Sequence, residues 1–142
     1  MRAVTPALVD RVWTEVVAYP PEAVTAEAEG FLARQPEVVA LAHALTEPMG
    51  AEVQGAAAGL AYLYFKVLEA SLGAPFPGVD AGRLEAARAG DADEPSPLVG
   101  HVLAVFYGGE GSESGYDDEV RGRLALLLRV LVQATDLDAP DR

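Results

Sequence analysis

Residues 53–65 read VQGAAAGLAYLYF, and Gln54 is the one strongly polar side chain in this stretch. A helix that is apolar on nearly all sides is normally surrounded by other helices. The stretch therefore predicts an all-α domain built around a central apolar helix. We expect that helix to cover about residues 48–72.

Two glycines, Gly55 and Gly59, lie four residues apart in this predicted helix, so they share one face. Each lowers helix propensity by about 1 kcal/mol relative to alanine, and close approach of another helix or a bend would explain that cost. Small residues let helix backbones approach closely in membranes, and the steric part of that argument also holds in water. Gly55 and Gly59 are therefore a candidate helix contact or homodimer seam.

Prolines punctuate the rest of the chain, and apolar stripes at helical spacing follow most of them. These stripes predict helices beginning near residues 6, 21, 36, 81, 97 and 116. Residues expected to face the core include Val9, Val12 and Val17 in the first helix, Val24, Ala28, Phe31 and Leu32 in the second, Leu84 and Ala87 in the short helix over 81–89, and Val120, Leu124, Leu127, Leu128 and Leu131 in the last. No run of alternating apolar and polar residues indicates a strand. We expect one domain over residues 1–142, a bundle of five to six helices around the central apolar helix, with a tail, residues 136–142, that frays.

The chain has 142 residues, a formal net charge of −12 and no cysteine. This charge disfavours nucleic acid and anionic membrane surfaces as partners, whereas a basic protein partner suits it. Without cysteine there are no disulfides or thiolate sites, and the sequence shows neither a signal peptide nor an apolar run long enough to span a bilayer. These features predict a cytoplasmic protein. The absence of isoleucine and asparagine beside a single lysine suggests a GC-rich bacterial genome.

Histidines are the first candidates for chemistry. His43 and Glu47 lie four residues apart, and His101 lies in a later predicted helix. If the two helices met, these three side chains would form a possible metal-ligand set. The chain contains neither Glu-x-x-His nor His-Glu-x-x-His, the spacings of di-iron bundles and zinc proteases. Surface or capping roles are therefore favoured for both histidines, and we predict no metal and no other cofactor.

Two loops invite a ligand-binding interpretation that their residues do not support. Residues 91–94 (DADE) are acidic, but the positions after them lack the glycine and the final carboxylate of an EF-hand. Residues 108–115 (GGEGSESG) contain two glutamates and no lysine, unlike a phosphate-binding loop. No serine occupies a Gly-x-Ser-x-Gly motif, so the sequence predicts no catalytic residue.

Aromatic residues provide a candidate pocket for a small apolar ligand. Its members are Tyr62, Tyr64, Phe65, Phe106 and Tyr107. Buried tyrosine hydroxyls need hydrogen-bond partners, which a ligand or the protein itself would supply. Ordinary core packing is the simpler expectation at such spacings.

These observations favour a non-catalytic interaction or regulatory module that binds a protein partner or a second copy of itself. Two alternatives stay open. One is a sensor or carrier that holds a small apolar ligand between helices. The other is a metal-dependent enzyme that uses His43, Glu47 and His101.

Overall fold

The computed structural model describes residues 6–73, 78–89, 102 and 118–137. Within these ranges the chain forms six α-helices and one short 3₁₀ turn. The helices are α1 (Pro6–Val17), α2 (Pro21–Arg34), α3 (Pro36–Thr46), α4 (Ala51–Leu72), α5 (Ala81–Ala89) and α6 (Asp118–Leu137), and the 3₁₀ turn is Glu47–Met49. No strand occurs in these ranges, which confirms the predicted all-α bundle.

The central helix of the bundle is α4, as the sequence predicts. It packs against α1, α3 and α6. Its buried side chains are Ala57, Leu60, Ala61, Leu63, Tyr64, Phe65, Val67 and Leu68. The expectation that neighbours enclose this helix on nearly all sides is too strong, because Gly55 and Gly59 are exposed.

Two glycines set the limits of α4. Gly50 has a φ of 101°, a conformation that residues with a side chain rarely adopt. The helix therefore begins at Ala51 rather than near position 48, and the 3₁₀ turn precedes it. At the other end Gly73 has a φ of 76° and donates its N–H to the Glu69 carbonyl at 2.8 Å, which is a glycine C-terminal cap.

The predicted short helix over residues 81–89 is confirmed as α5, and Asp80 caps its N-terminus. The Arg83 N–H donates to Asp80 Oδ1 at 2.8 Å, and Leu84 and Ala87 are buried. The segment leading into α5 is fixed by Gln35, whose buried Oε1 accepts the Val79 N–H at 2.9 Å.

The predicted core residues of α6 are all buried. The helix extends through Leu137, and residues 138–142 of the predicted frayed tail lie outside the described residues. Thr135 anchors this last turn, because its hydroxyl lies 2.8 Å from the Tyr64 hydroxyl and 2.9 Å from the Leu131 carbonyl. Of the predicted helix after Pro97, the structure describes Val102, which is helical and fully buried.

One prediction about α2 is wrong. Of its four expected core residues, Phe31 is buried, whereas Val24 is 49% and Leu32 is 52% exposed and Ala28 is also exposed. The physical reason is that α2 packs against α3, and its contacts with α4 leave these side chains uncovered. The Phe31 ring contacts Tyr62 and Phe65 at centroid distances of 5.7 and 5.8 Å, and Glu27 and Arg34 form ion pairs with Lys66 and Glu69. The expected inward face of α2 therefore stays partly open.

Candidate functional site

An apolar groove of about 380 Å³ lies over the exposed face of α4. Gly55, Ala58 and Gly59 contribute the α4 surface of the groove. Side chains from α1, α2 and α3 complete its apolar lining, namely Val16, Val24, Ala28, Phe31, Leu32 and Val39. At about 30 Å³ per water molecule, the groove has room for roughly a dozen waters, which an apolar occupant would displace.

The two glycines leave open space above the α4 backbone. A Cβ atom built on Gly55 or on Gly59 would meet no heavy atom within 4 Å. Within the described chain these glycines therefore serve no close helix contact, and the sequence-based explanation through a neighbouring helix of the same chain does not apply. Their role as a seam for another molecule stays a prediction, and their exposure on the groove is compatible with it.

Two aromatic rings, those of Phe31 and Tyr62, line one end of the groove. Phe31 on α2 lies edge-on to Tyr62 on α4, with an interplanar angle of 79°. The two rings pack between α2 and α4 at this end of the groove. Toward the N-terminal end of α4 the residues that face α2 are Gly55 and Gly59, which have no side chain to fill the same space.

A polar cluster lies at the Tyr62 end of the groove. Glu27 Oε1 accepts hydrogen bonds from the Tyr62 hydroxyl at 2.9 Å and from Lys66 Nζ at 3.1 Å. Lys66 Nζ also lies 5.9 Å from the ring centroids of both Tyr19 and Tyr62, within the range of a cation–π interaction. This cluster ties α2 to α4 across the groove.

The charge states of the cluster follow from these contacts. The hydrogen bond from Tyr62 lowers the pKa of Glu27, and Lys66 lowers it further, against a smaller opposing effect of burial. Burial and the Glu27 carboxylate together raise the pKa of the Tyr62 hydroxyl. Burial acts to lower the pKa of Lys66, but the Glu27 carboxylate outweighs it and the pKa is raised. At neutral pH the cluster therefore contains a carboxylate, an ammonium group and a neutral phenol.

His43 contributes to the opposite end of the groove, near Gly55. Its backbone carbonyl accepts a hydrogen bond from Gln54 Nε2 at 3.0 Å, which links α3 to the start of α4. The His43 side chain is exposed. From Gly55 to Tyr62 the groove follows seven residues of α4, about 10 Å at 1.5 Å per residue.

The structure separates the aromatic residues that the sequence grouped into one pocket. Tyr62 is half-buried and lines the groove. Tyr64 and Phe65 are 3% and 1% exposed and belong to the core, where the Tyr64 hydroxyl meets Thr135. Phe106 and Tyr107, the other two members, lie outside the described residues.

The structure describes two of the three metal-ligand candidates. His43 in α3 and Glu47 in the following 3₁₀ turn are both exposed, and His101 lies outside the described residues. Among the residues that the structure describes, no group of three histidine or acidic side chains is placed to hold a metal ion. The acidic loop 91–94 and the glycine-rich loop 108–115 also fall outside the described ranges.

Sequence reasoning missed most of the groove. The signal was present in Gly55 and Gly59, but their partners Val24 and Leu32 were assigned to the core.

In the described part of the chain, every helix is too short or too polar to cross a bilayer. Comparison of the chain with protein-family models, with curated proteins and with solved structures finds no match.

Proposed function

We propose that this chain is a non-catalytic binding module whose groove over α4 receives the apolar face of a helix from another polypeptide chain. The observation that carries the proposal is the combination of an open glycine surface with exposed apolar walls. Gly55 and Gly59 leave the α4 backbone uncovered, and Val24 and Leu32 expose about half of their surface beside it. Contiguous exposed apolar surface of this kind commonly marks an interaction site.

The dimensions of the groove suit a helix. Apolar side chains at positions i, i+3 or i+4, and i+7 of an incoming helix span about 10 Å. The α4 surface from Gly55 to Tyr62 has the same length. A glycine surface also permits close approach of another helix backbone, because glycine has no side chain. For this reason small residues recur at tightly packed helix contacts.

The test is a selection of helical peptides with a counter-selection against a filled groove. A library of peptides of about 14 residues, four helical turns, would carry leucine at three positions on one face and random residues elsewhere. Peptides that bind the full wild-type chain would be selected, and peptides that also bind the variant Gly59→Leu would be removed. This substitution places a side chain in the open space above the α4 backbone. Gly122→Leu is the matched control, because Gly122 is an exposed helical glycine on α6 with the same open surroundings.

We expect peptides that bind the wild type and Gly122→Leu but not Gly59→Leu. Circular dichroism would verify that both variants keep their helix content. If every recovered peptide binds the two variants equally well, or if none binds the folded wild type, the proposed function is wrong.

A second candidate, a small-ligand carrier, is favoured by one observation. The groove volume of about 380 Å³ falls within the 300–1,000 Å³ typical of ligand pockets. An apolar fluorescent dye would distinguish the two functions. A carrier predicts stoichiometric dye binding that Gly59→Leu abolishes, whereas a groove for a helix predicts weak dye binding that a selected peptide displaces.

A further inference from the structure

We infer that the helix received by the groove is basic and comes from a different protein, and that one lysine or arginine beside its apolar stripe pairs with Glu27. This inference rests on the proposed function and adds the charge and the position of the partner's contact. Three observations carry it: a Glu27 oxygen that accepts no hydrogen bond from the described residues, the charge of the surrounding helices, and the charge of the whole chain.

Glu27 is the one carboxylate among the described residues that line the groove. Its Oε1 accepts both hydrogen bonds of the polar cluster, while its Oε2 accepts none from the described part of the chain. The Glu27 side chain is 39% exposed, so water now solvates this oxygen. A helix that covers the groove removes that water, and leaving a carboxylate oxygen unpaired is unfavourable. A cationic donor from the occupant replaces the lost hydration with a charge-assisted hydrogen bond.

The helices around the groove are strongly acidic. Residues 6–73 contain nine acidic and three basic residues. Two of the three cations are already engaged, because Lys66 pairs with Glu27 at 3.1 Å and Arg34 pairs with Glu69 at 3.4 Å. These ion pairs make the electrostatic potential near Glu27 less negative, but the helices around the groove still have more carboxylates than cations. A basic helix is attracted to such a surface, and complementary charge accelerates its association.

The same charge argues against a second copy of this chain as the occupant. Each copy has a formal net charge of −12, so dimerisation through the groove brings two acidic surfaces together at a cost in repulsion. A basic partner gains attraction from the charge that opposes self-association.

The experiment is a double-mutant cycle on the peptides that the groove-dependent selection recovers. The sequences are first examined for a lysine or arginine enriched at one position next to the fixed leucines. The binding of the best such peptide, and of its version with glutamine at that position, is then measured against the wild type and Glu27→Gln. Glutamine keeps an oxygen that accepts from the Tyr62 hydroxyl but removes the charge. Glu119→Gln, an exposed carboxylate on α6, is the control for net charge.

We expect the peptide change to weaken binding about five- to tenfold on the wild type and on Glu119→Gln, and by less than twofold on Glu27→Gln. Equal losses on all three proteins, or groove-dependent peptides without enriched basic residues, would overturn this inference and leave the proposed function intact. Failure to recover any groove-dependent peptide would overturn the proposed function itself. Light scattering that shows a dimer broken by Gly59→Leu would identify a second copy as the occupant and also overturn the inference.

Discussion

Replacing both groove glycines by alanine should make the free protein more stable and its complex weaker. Gly55 and Gly59 are helical and exposed, and a Cβ atom at either position meets no heavy atom within 4 Å. Each substitution therefore gains about 1 kcal/mol of helix propensity without a steric penalty, so the double variant gains about 2 kcal/mol in its free energy of unfolding. For a domain of this size the gain corresponds to a rise of about 4–8 °C in Tm.

Binding should change in the opposite direction. Two methyl groups raise the α4 surface where the incoming helix is expected to lie closest, and overpacking a fitted contact costs about 1–3 kcal/mol. We therefore expect the affinity for a groove-dependent peptide to fall about five- to a hundredfold. Gly122→Ala on α6 is the matched control, because it should add about 1 kcal/mol of stability and leave binding unchanged.

Urea unfolding followed by circular dichroism measures the first effect, and fluorescence anisotropy of a labelled peptide measures the second. A double variant that is less stable than the wild type, while Gly122→Ala is more stable, would mean that the glycines serve a contact inside the folded chain. A stabilised double variant with unchanged affinity would mean that nothing approaches the α4 backbone closely.

Three further predictions concern the core and the polar cluster. Leu60→Ala should lower the free energy of unfolding by about 2–5 kcal/mol because Leu60 is fully buried. Leu72→Ala is the control, because Leu72 is 44% exposed and its loss should change the free energy of unfolding by about 0.5 kcal/mol or less. Similar losses for the two variants in urea unfolding would contradict the central position of α4. Tyr64→Phe should cost about 1 kcal/mol because it removes the 2.8 Å hydrogen bond to Thr135, and combining it with Thr135→Val should cost less than the sum of the two single changes. Contacts in the folded protein lower the pKa of Glu27 from its ordinary value of 4.5, so its charged form stabilises the fold above that pH, and this contribution disappears as the pH falls through the lower folded pKa. The difference in free energy of unfolding between wild type and Glu27→Gln should therefore shrink between about pH 6 and pH 3. A difference that stays constant over this range would contradict the pairing of Glu27.

The fold could be predicted largely because its main determinants are local in the sequence. The apolar surplus of α4 requires neighbours on most sides, and Leu60 is buried as expected. Asp80 provides the cap of α5 through the hydrogen bond that the residue type suggests. The stripe of α6 at helical spacing is also buried as predicted. In each case the sequence signal and the packing agree.

The groove could not be predicted because it depends on how far apart two helices lie. The stripe of α2 looks like a core stripe, yet Val24 and Leu32 are exposed, and of that stripe the Phe31 ring contacts Tyr62 on α4. The start of α4 was missed for a related reason, since the positive φ of Gly50 is a conformation that glycine allows but does not require. Ring contacts and backbone angles of this kind arise from tertiary structure, and residue spacing does not encode them.

If the groove over α4 is the binding surface of this protein, a bound peptide perturbs the residues that line it. Backbone amide chemical shifts of the isotopically labelled full chain, recorded during titration with a groove-dependent peptide, test it most directly. We expect saturable shifts centred on Gly55 and Gly59 and on the residues of α2 around Leu32, with little change on α6 around Glu119. Saturable shifts centred on α5 and α6, with the α4 glycines unaffected, would contradict it.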